Sequence, residues 1–225
     1  MSAIRNSGAA KSSGLCIAFF GPDGVGKSAV IEAVKVELGL AFSAVVQFHF
    51  RPMFGRPELD RLPVTDPHAQ APRSALVSGA KLLYWLLDCW FGYFLAIGPA
   101  RRHSRLVIFD RYYPDILVDP LRYRLPASCL SFATWLAALA PRPDLCVLLE
   151  APAEVVQYRK HEVSLAESQR QRRAYLAMFR SMPAKLLVNA DAPVSQVAHQ
   201  VSIAISTLLQ SSSPPPPEAF LLADF

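Results

Sequence analysis

The octapeptide Gly21-Pro22-Asp23-Gly24-Val25-Gly26-Lys27-Ser28 limits what this chain can become more than any other feature, because it fits G-x-x-x-x-G-K-[ST] at every fixed position. An apolar run, Leu15–Phe20, leads into it, and a periodic helical pattern, Ser28–Leu38, leads out toward Gly39 as the C-cap. Glycines in such a turn let successive backbone N–H groups face an anion where a Cβ would obstruct it. The helix that follows aims its positive end at the same place. The sequence therefore predicts a polyphosphate cradle formed by Gly21, Asp23, Gly24, Val25, Gly26, Lys27, Ser28 and Ala29. Lys27 is expected at the β- and γ-phosphates of ATP, and the Ser28 hydroxyl on Mg²⁺.

Four further apolar runs read as strands: Ala44–Phe50, Leu106–Phe109, Leu145–Leu149 and Leu186–Val188. They are continuous rather than alternating, as expected where both faces of a parallel sheet are covered. Helical patterns separate them. One covers Ala153–Glu162 behind Pro152. Another opens at Ser164, three residues before Glu167, and is bounded by Pro183. The last places Val194, Val197, Val201, Ile205 and Leu208 on one face. Alternating strand and helix predicts an α/β fold with a parallel sheet. Residues 1–13 read as a flexible leader, 14–210 as one domain, and 211–225 as a proline-rich tail.

In an open α/β sheet, ligands sit beyond the carboxyl ends of the strands. That rule selects His49, Phe50 and Arg51 after the second strand, and Asp110, Arg111 and Tyr112 after the third. It selects Glu150 after the fourth, and Asn189 and Asp191 after the fifth. Asp110 closes a V-I-F-D run suited to holding Mg²⁺ or its water, the alternative being an aspartate that caps the next turn. Arg111 and Arg51 offer rigid forks for phosphate; for Arg51 a surface salt bridge is the competing reading. His49 is read as an acceptor-pocket residue or a core histidine, and Glu150 as a carboxylate near the metal or a plain strand end. From Arg159 to Arg180 the chain carries Arg159, Lys160, His161, Arg170, Arg172, Arg173 and Arg180, a cationic lid or a solvated helix face.

Composition narrows the setting. The formal charge of +5 suits phosphorylated ligands and is too small to argue for nucleic acid. Four dispersed cysteines without a C-x-x-C pair argue against metal-ligand spacing and a disulfide framework and suit a reducing, cytoplasmic compartment. The apolar stretch from Ala75 to Gly98 is interrupted by Lys81 and Asp88, so a buried or groove-lining helix is expected rather than a membrane span. Docking to a membrane or to a second copy is the other use for it.

Taken together, GPDGVGKS, FDRYYPD and LLEAPAEVVQYRK resemble the thymidylate kinase family of P-loop nucleoside monophosphate kinases, over roughly residues 15–209. The resemblance implies a three-layer P-loop fold with strand order 2-3-1-4-5 and helices on both faces. It implies ATP-Mg²⁺ on one side and a monophosphate acceptor on the other. It places Arg111 and Arg51 on the acceptor phosphate with Tyr112 beside them, Asp23 near the acceptor sugar, and Arg159 in a lid covering about 153–182. It sets Asn189–Val194, including Asp191, beside adenine.

Three activities follow as expectations: phosphoryl transfer to a nucleoside monophosphate, transfer to a hydroxyl of a nucleoside, sugar or lipid-linked glycan, and a slow nucleotide-dependent regulatory module. In the first, positioning dominates because the nucleophile is already an anion; in the second, Asp23 or Asp110 must take the proton. A GTPase is disfavoured by the lack of N-K-x-D and of D-x-x-G after the third strand.

Overall fold

The computed structural model describes residues 14–52, 70–160 and 163–211. The leader 1–13 and residues 212–225 of the tail therefore lie outside the described residues. Five strands form an all-parallel sheet: β1 (Cys16–Phe20), β2 (Val45–His49), β3 (Leu106–Asp110), β4 (Leu145–Glu150) and β5 (Lys185–Asn189), in the order β2-β3-β1-β4-β5. The fold is α/β, with helices on both faces.

Strand periodicity explains why the central runs are apolar without a break. Cys16, Ala18 and Phe20 of β1 enter one core, whereas Ile17 and Phe19 enter the other. Every residue of β1 and β3 is buried, but β2 is half-buried throughout and β5 exposes Lys185, Leu187 and Asn189. Those two are the edge strands, where covering layers thin out.

On one face, α1 (Lys27–Leu38) and α7 (Val194–Ser211) pack against each other and the sheet. Val197, Ala198, Val201 and Ile205 are the buried stripe of α7, while Val194 stays exposed and Leu208 only leans on the core. Gly39 does close α1, in right-handed rather than left-handed geometry.

The other face carries α2 (Ala75–Gly92), α3 (Gly98–Arg102), α4 (Leu130–Leu139) and α6 (Leu165–Arg180), whereas α5 (Ala153–Arg159) sends Val156 into the same core as α1 and α7. Between α2 and α3 lies a π-helical turn, Tyr93–Ile97, in which the Gly98 N–H bonds the Tyr93 carbonyl. Pro99 has no N–H to continue the regular ladder, and the wider turn absorbs the missing bond. The helix behind Pro152 stops at Arg159, with Lys160 extended. Ser164 caps α6 by accepting the Glu167 N–H, but the Glu167 carboxylate turns to Arg170 at 2.6 and 2.7 Å. Only half of the predicted capping box is thus visible in these contacts. Tyr175 and Phe179 of α6 belong to the core, so the second half of the expected lid is a layer of the fold.

Candidate functional site

Because the strands are parallel, their carboxyl ends share one edge, and the glycine loop after β1 leaves that edge between β3 and β4. Gly26 (φ 102°) caps α1 with no side-chain acceptor, leaving the first turn open to an anion. Gly24 (φ 86°) faces the chain after α5; a Cβ there would stand 2.9 Å from Lys160 Cβ. The loop thus needs glycine for conformation and for room.

Lys27 is buried, and its ammonium donates to the carbonyls of Gly21 at 2.7 Å and Pro22 at 2.9 Å, with Asp23 3.7 Å away. Burial and the Arg111 guanidinium push its pKa below that of ordinary lysine, against the pull of Asp23, Asp110 and Asp115. Asp110, across from His49 in the β2–β3 register, lies 3.8 Å from His49 Nδ1. Burial raises its pKa, but the His49 imidazole and the Lys27 ammonium outweigh burial and hold the carboxyl below its usual range. Its Oδ1 is buried with no hydrogen-bond partner. An ionised carboxylate oxygen left open beside a lysine fits a hard divalent cation held through water. Among the described residues no group of three or more His, Cys, Asp or Glu side chains is placed to hold a metal ion, so the loop and Asp110 would supply few direct ligands.

Asp23 is the hub of the loop's polar network. It accepts from Arg111 Nη2 and from Arg122 Nη1. Arg111 (φ 70°) is buried and donates through Nη1 to Asp115 at 2.6 Å and to the Tyr175 hydroxyl at 3.1 Å. Asp115 is completely buried and also accepts from the Tyr175 hydroxyl at 2.6 Å and the Tyr123 hydroxyl at 3.0 Å. Burial and Asp115 push both phenols well above their ordinary range, so both remain donors.

The Tyr123 ring extends this network into an aromatic cluster, stacking on Phe50 at 5.3 Å and meeting Trp85 edge-on at 5.6 Å. Lys81 Nζ lies 4.6 Å above the Trp85 ring, and the Arg51 guanidinium lies 5.7 Å from the Tyr84 centroid. Burial, with repulsion from Arg73, Arg51 and Arg124, lowers the Lys81 pKa to about 8. Cations gathered over aromatic faces at the ends of β2 and β3 make a second anion-seeking region beside the loop.

Of the residues singled out from sequence, Asp23, Lys27, Asp110 and Arg111 come together, and Arg51 stands in the aromatic region. Tyr112 does not join them. Its hydroxyl donates to the Pro141 carbonyl at 2.8 Å, and its ring lines an apolar cavity of about 390 Å³ with Phe20, Leu117 and Met178. The positive φ of Arg111 breaks the strand alternation, so Tyr112 packs beside Phe109 in the same core instead of following Asp110. Arg159 donates to the Ala190 carbonyl at 3.0 Å and the Val25 carbonyl at 3.4 Å, tying the glycine loop to the segment after β5. Asp191 lies 3.9 Å from that guanidinium, and the Asn189 side chain accepts from the Asp191 N–H. Arg170 is turned toward the Val118 carbonyl, and Arg172 pairs with Glu150. Sequence reasoning missed Arg122, Tyr123, Asp115 and Tyr175. Asp115, four residues after Arg111, was the one visible signal.

No protein-family model and no curated protein matches this chain.

Proposed function

We propose that this chain is a P-loop phosphotransferase using ATP and Mg²⁺, with a nucleoside monophosphate as the acceptor. One observation carries the reading. A glycine loop with a buried lysine adjoins, across the Asp23–Arg111–Asp115 network, an aromatic cluster ringed by Arg51, Arg73, Lys81 and Arg124. Donor and acceptor anions would thus be held on two sides of one sheet edge, which is the arrangement in-line transfer requires.

In this reading the loop amides and Lys27 hold the donor's terminal phosphates, and Lys27 exchanges its bonds to Gly21 and Pro22 for phosphate oxygens. Ser28 and Asp110 would hold Mg²⁺, which when bound supplies charge neutralisation at the bridging oxygens. Arg111 and Arg122 flank the path between the two anions, and Asp23 fixes both guanidiniums in place. Stacking against Phe50, Trp85 or Tyr123 would suit a base.

The geometry favours an anionic acceptor over a neutral hydroxyl. A hydroxyl nucleophile needs a base, yet Asp23 is engaged by two guanidiniums and Asp110 is held acidic. An acceptor phosphate oxygen needs no proton removed.

Calorimetry with ATP and magnesium, followed by a nucleotide-release assay over a panel of nucleoside monophosphates, tests the proposal. At least one acceptor should be turned over, and Lys27→Ala should lower kcat by at least about 10²-fold. Tight ATP uptake with silence toward every acceptor would remove the kinase reading. No ATP uptake at all would remove the phosphate cradle too.

A further inference from the structure

The outer surface of α2, its π-helical continuation and α4 is apolar to a degree the rest of the fold does not share. From Ala75 to Gly98 every exposed residue is aliphatic or aromatic, while Lys81 is half-buried and Asp88 buried. Phe91 is 54% exposed, Phe94 and Leu95 are each 63% exposed, and Trp135 of α4 is 59% exposed. Phe132 lies over Gly79, and Trp90 Nε1 donates to the Leu139 carbonyl at 3.1 Å, so the two helices present one continuous face. An exposed apolar face of this kind marks an interaction site.

The charges around it select the occupant. Between residues 70 and 144 the carboxylates Asp88, Asp110, Asp115 and Asp119 are buried, and Asp144, half-buried at the start of β4, is paired with Arg101 at 2.8 Å. Over the same span Arg102, His103, Arg105 and Arg142 are exposed, where α3 and α4 end beside the starts of β3 and β4. An apolar face with aromatic residues and a basic rim, whose one half-buried carboxylate is already paired with Arg101, is complementary to an anionic bilayer surface. A second copy is a poorer fit, because a two-fold interface sets the same patch against itself and brings one basic rim toward another. Spanning is excluded by the inner side of the same helix, where Leu82, Trp85, Leu86, Cys89 and Ile97 belong to the core.

We propose that the α2–α4 face seats this protein peripherally on an anionic lipid surface, with Trp90, Phe91, Phe94, Leu95 and Trp135 entering the headgroup boundary and Arg102, Arg105 and Arg142 meeting lipid phosphates. The assignment is independent of the kinase reading, since none of these residues lies at the glycine loop.

Flotation of the full chain with vesicles tests it. Phosphatidylcholine vesicles containing about 30% phosphatidylglycerol should carry the protein, pure phosphatidylcholine much less, and added salt should weaken uptake. Two of the three tryptophans, Trp90 and Trp135, are on the face and the third, Trp85, is buried, so brominated lipid should quench most of the fluorescence. Phe91→Glu with Phe94→Glu should cut partitioning by at least about tenfold, and Arg102→Glu or Arg142→Glu by about fivefold or more each. All four positions are exposed, so an unchanged melting temperature would separate these losses from unfolding. Absence of uptake by every vesicle overturns the proposal. If sedimentation then shows a dimer split by Phe91→Glu, the face belongs to a second copy. If it shows a monomer, the face has neither lipid nor a second copy as its occupant. Equal, salt-insensitive uptake by neutral and anionic vesicles would overturn the role of the basic rim.

Discussion

Asp115 is the residue on which the polar half of the site depends. It has no exposure to solvent and is satisfied by one guanidinium and two phenols. Removing one member of a buried charge pair leaves the other desolvated, so Asp115→Ala should cost about 3–5 kcal/mol in denaturant unfolding. Tyr175→Phe, which deletes one hydroxyl from the same network, should cost about 1 kcal/mol. Lys81 gives a pH signature. Its folded-state pKa of about 8 lies below the ordinary 10.5, so its charge opposes folding fully below about pH 8. That opposition fades as pH rises from there toward 10.5. An acceptor anion reverses the balance by favouring the charged form. Under the proposed reading, the acceptor KM should rise as pH climbs through about 8, and Lys81→Met should flatten that rise. Lys27, Asp110 and Arg111 were legible as single letters at strand and loop ends. Tyr123 and Tyr175 were not, because a tyrosine in a loop and one in a helix carry no mark of the aspartate they share.

The elements followed the local signals wherever a backbone group had a designated partner. Ser164 accepts from the Glu167 N–H as its spacing indicated, and Ser164→Ala should lower stability by about 1 kcal/mol, read from the urea midpoint. A smaller effect would mean that tertiary contacts of α6, such as Tyr175 and Phe179, already hold its first turn. The helix behind Pro152 ran shorter than its composition indicated, since Lys160 is drawn into extended geometry where the chain passes over Gly24. Likewise, the long apolar helix contains a π-helical turn that hydrophobic periodicity does not announce. Pro99 was visible; whether the helix would break or widen there depended on Ile97 being held in the core.

Across the molecule, the sheet separates two cores, and all four cysteines lie buried. Burial pushes the Cys89 and Cys146 thiols up to about 12 and raises Cys16 as well. Ellman's reagent should therefore react slowly with the native protein and titrate four thiols once it unfolds, giving a readout of global opening. Rapid labelling of even one thiol in buffer would contradict the closed core. By itself, the sequence determined the five strands, the glycine loop and the charged letters at the strand ends, because hydrophobic period, glycine and proline act on their immediate neighbours. Only the tertiary structure decided that Arg122 reaches Asp23, that Tyr112 turns inward, and that the apolar helix keeps one side bare. Those outcomes depend on which surfaces meet across many intervening residues, and burial and charge pairing are properties of that meeting rather than of any local pattern.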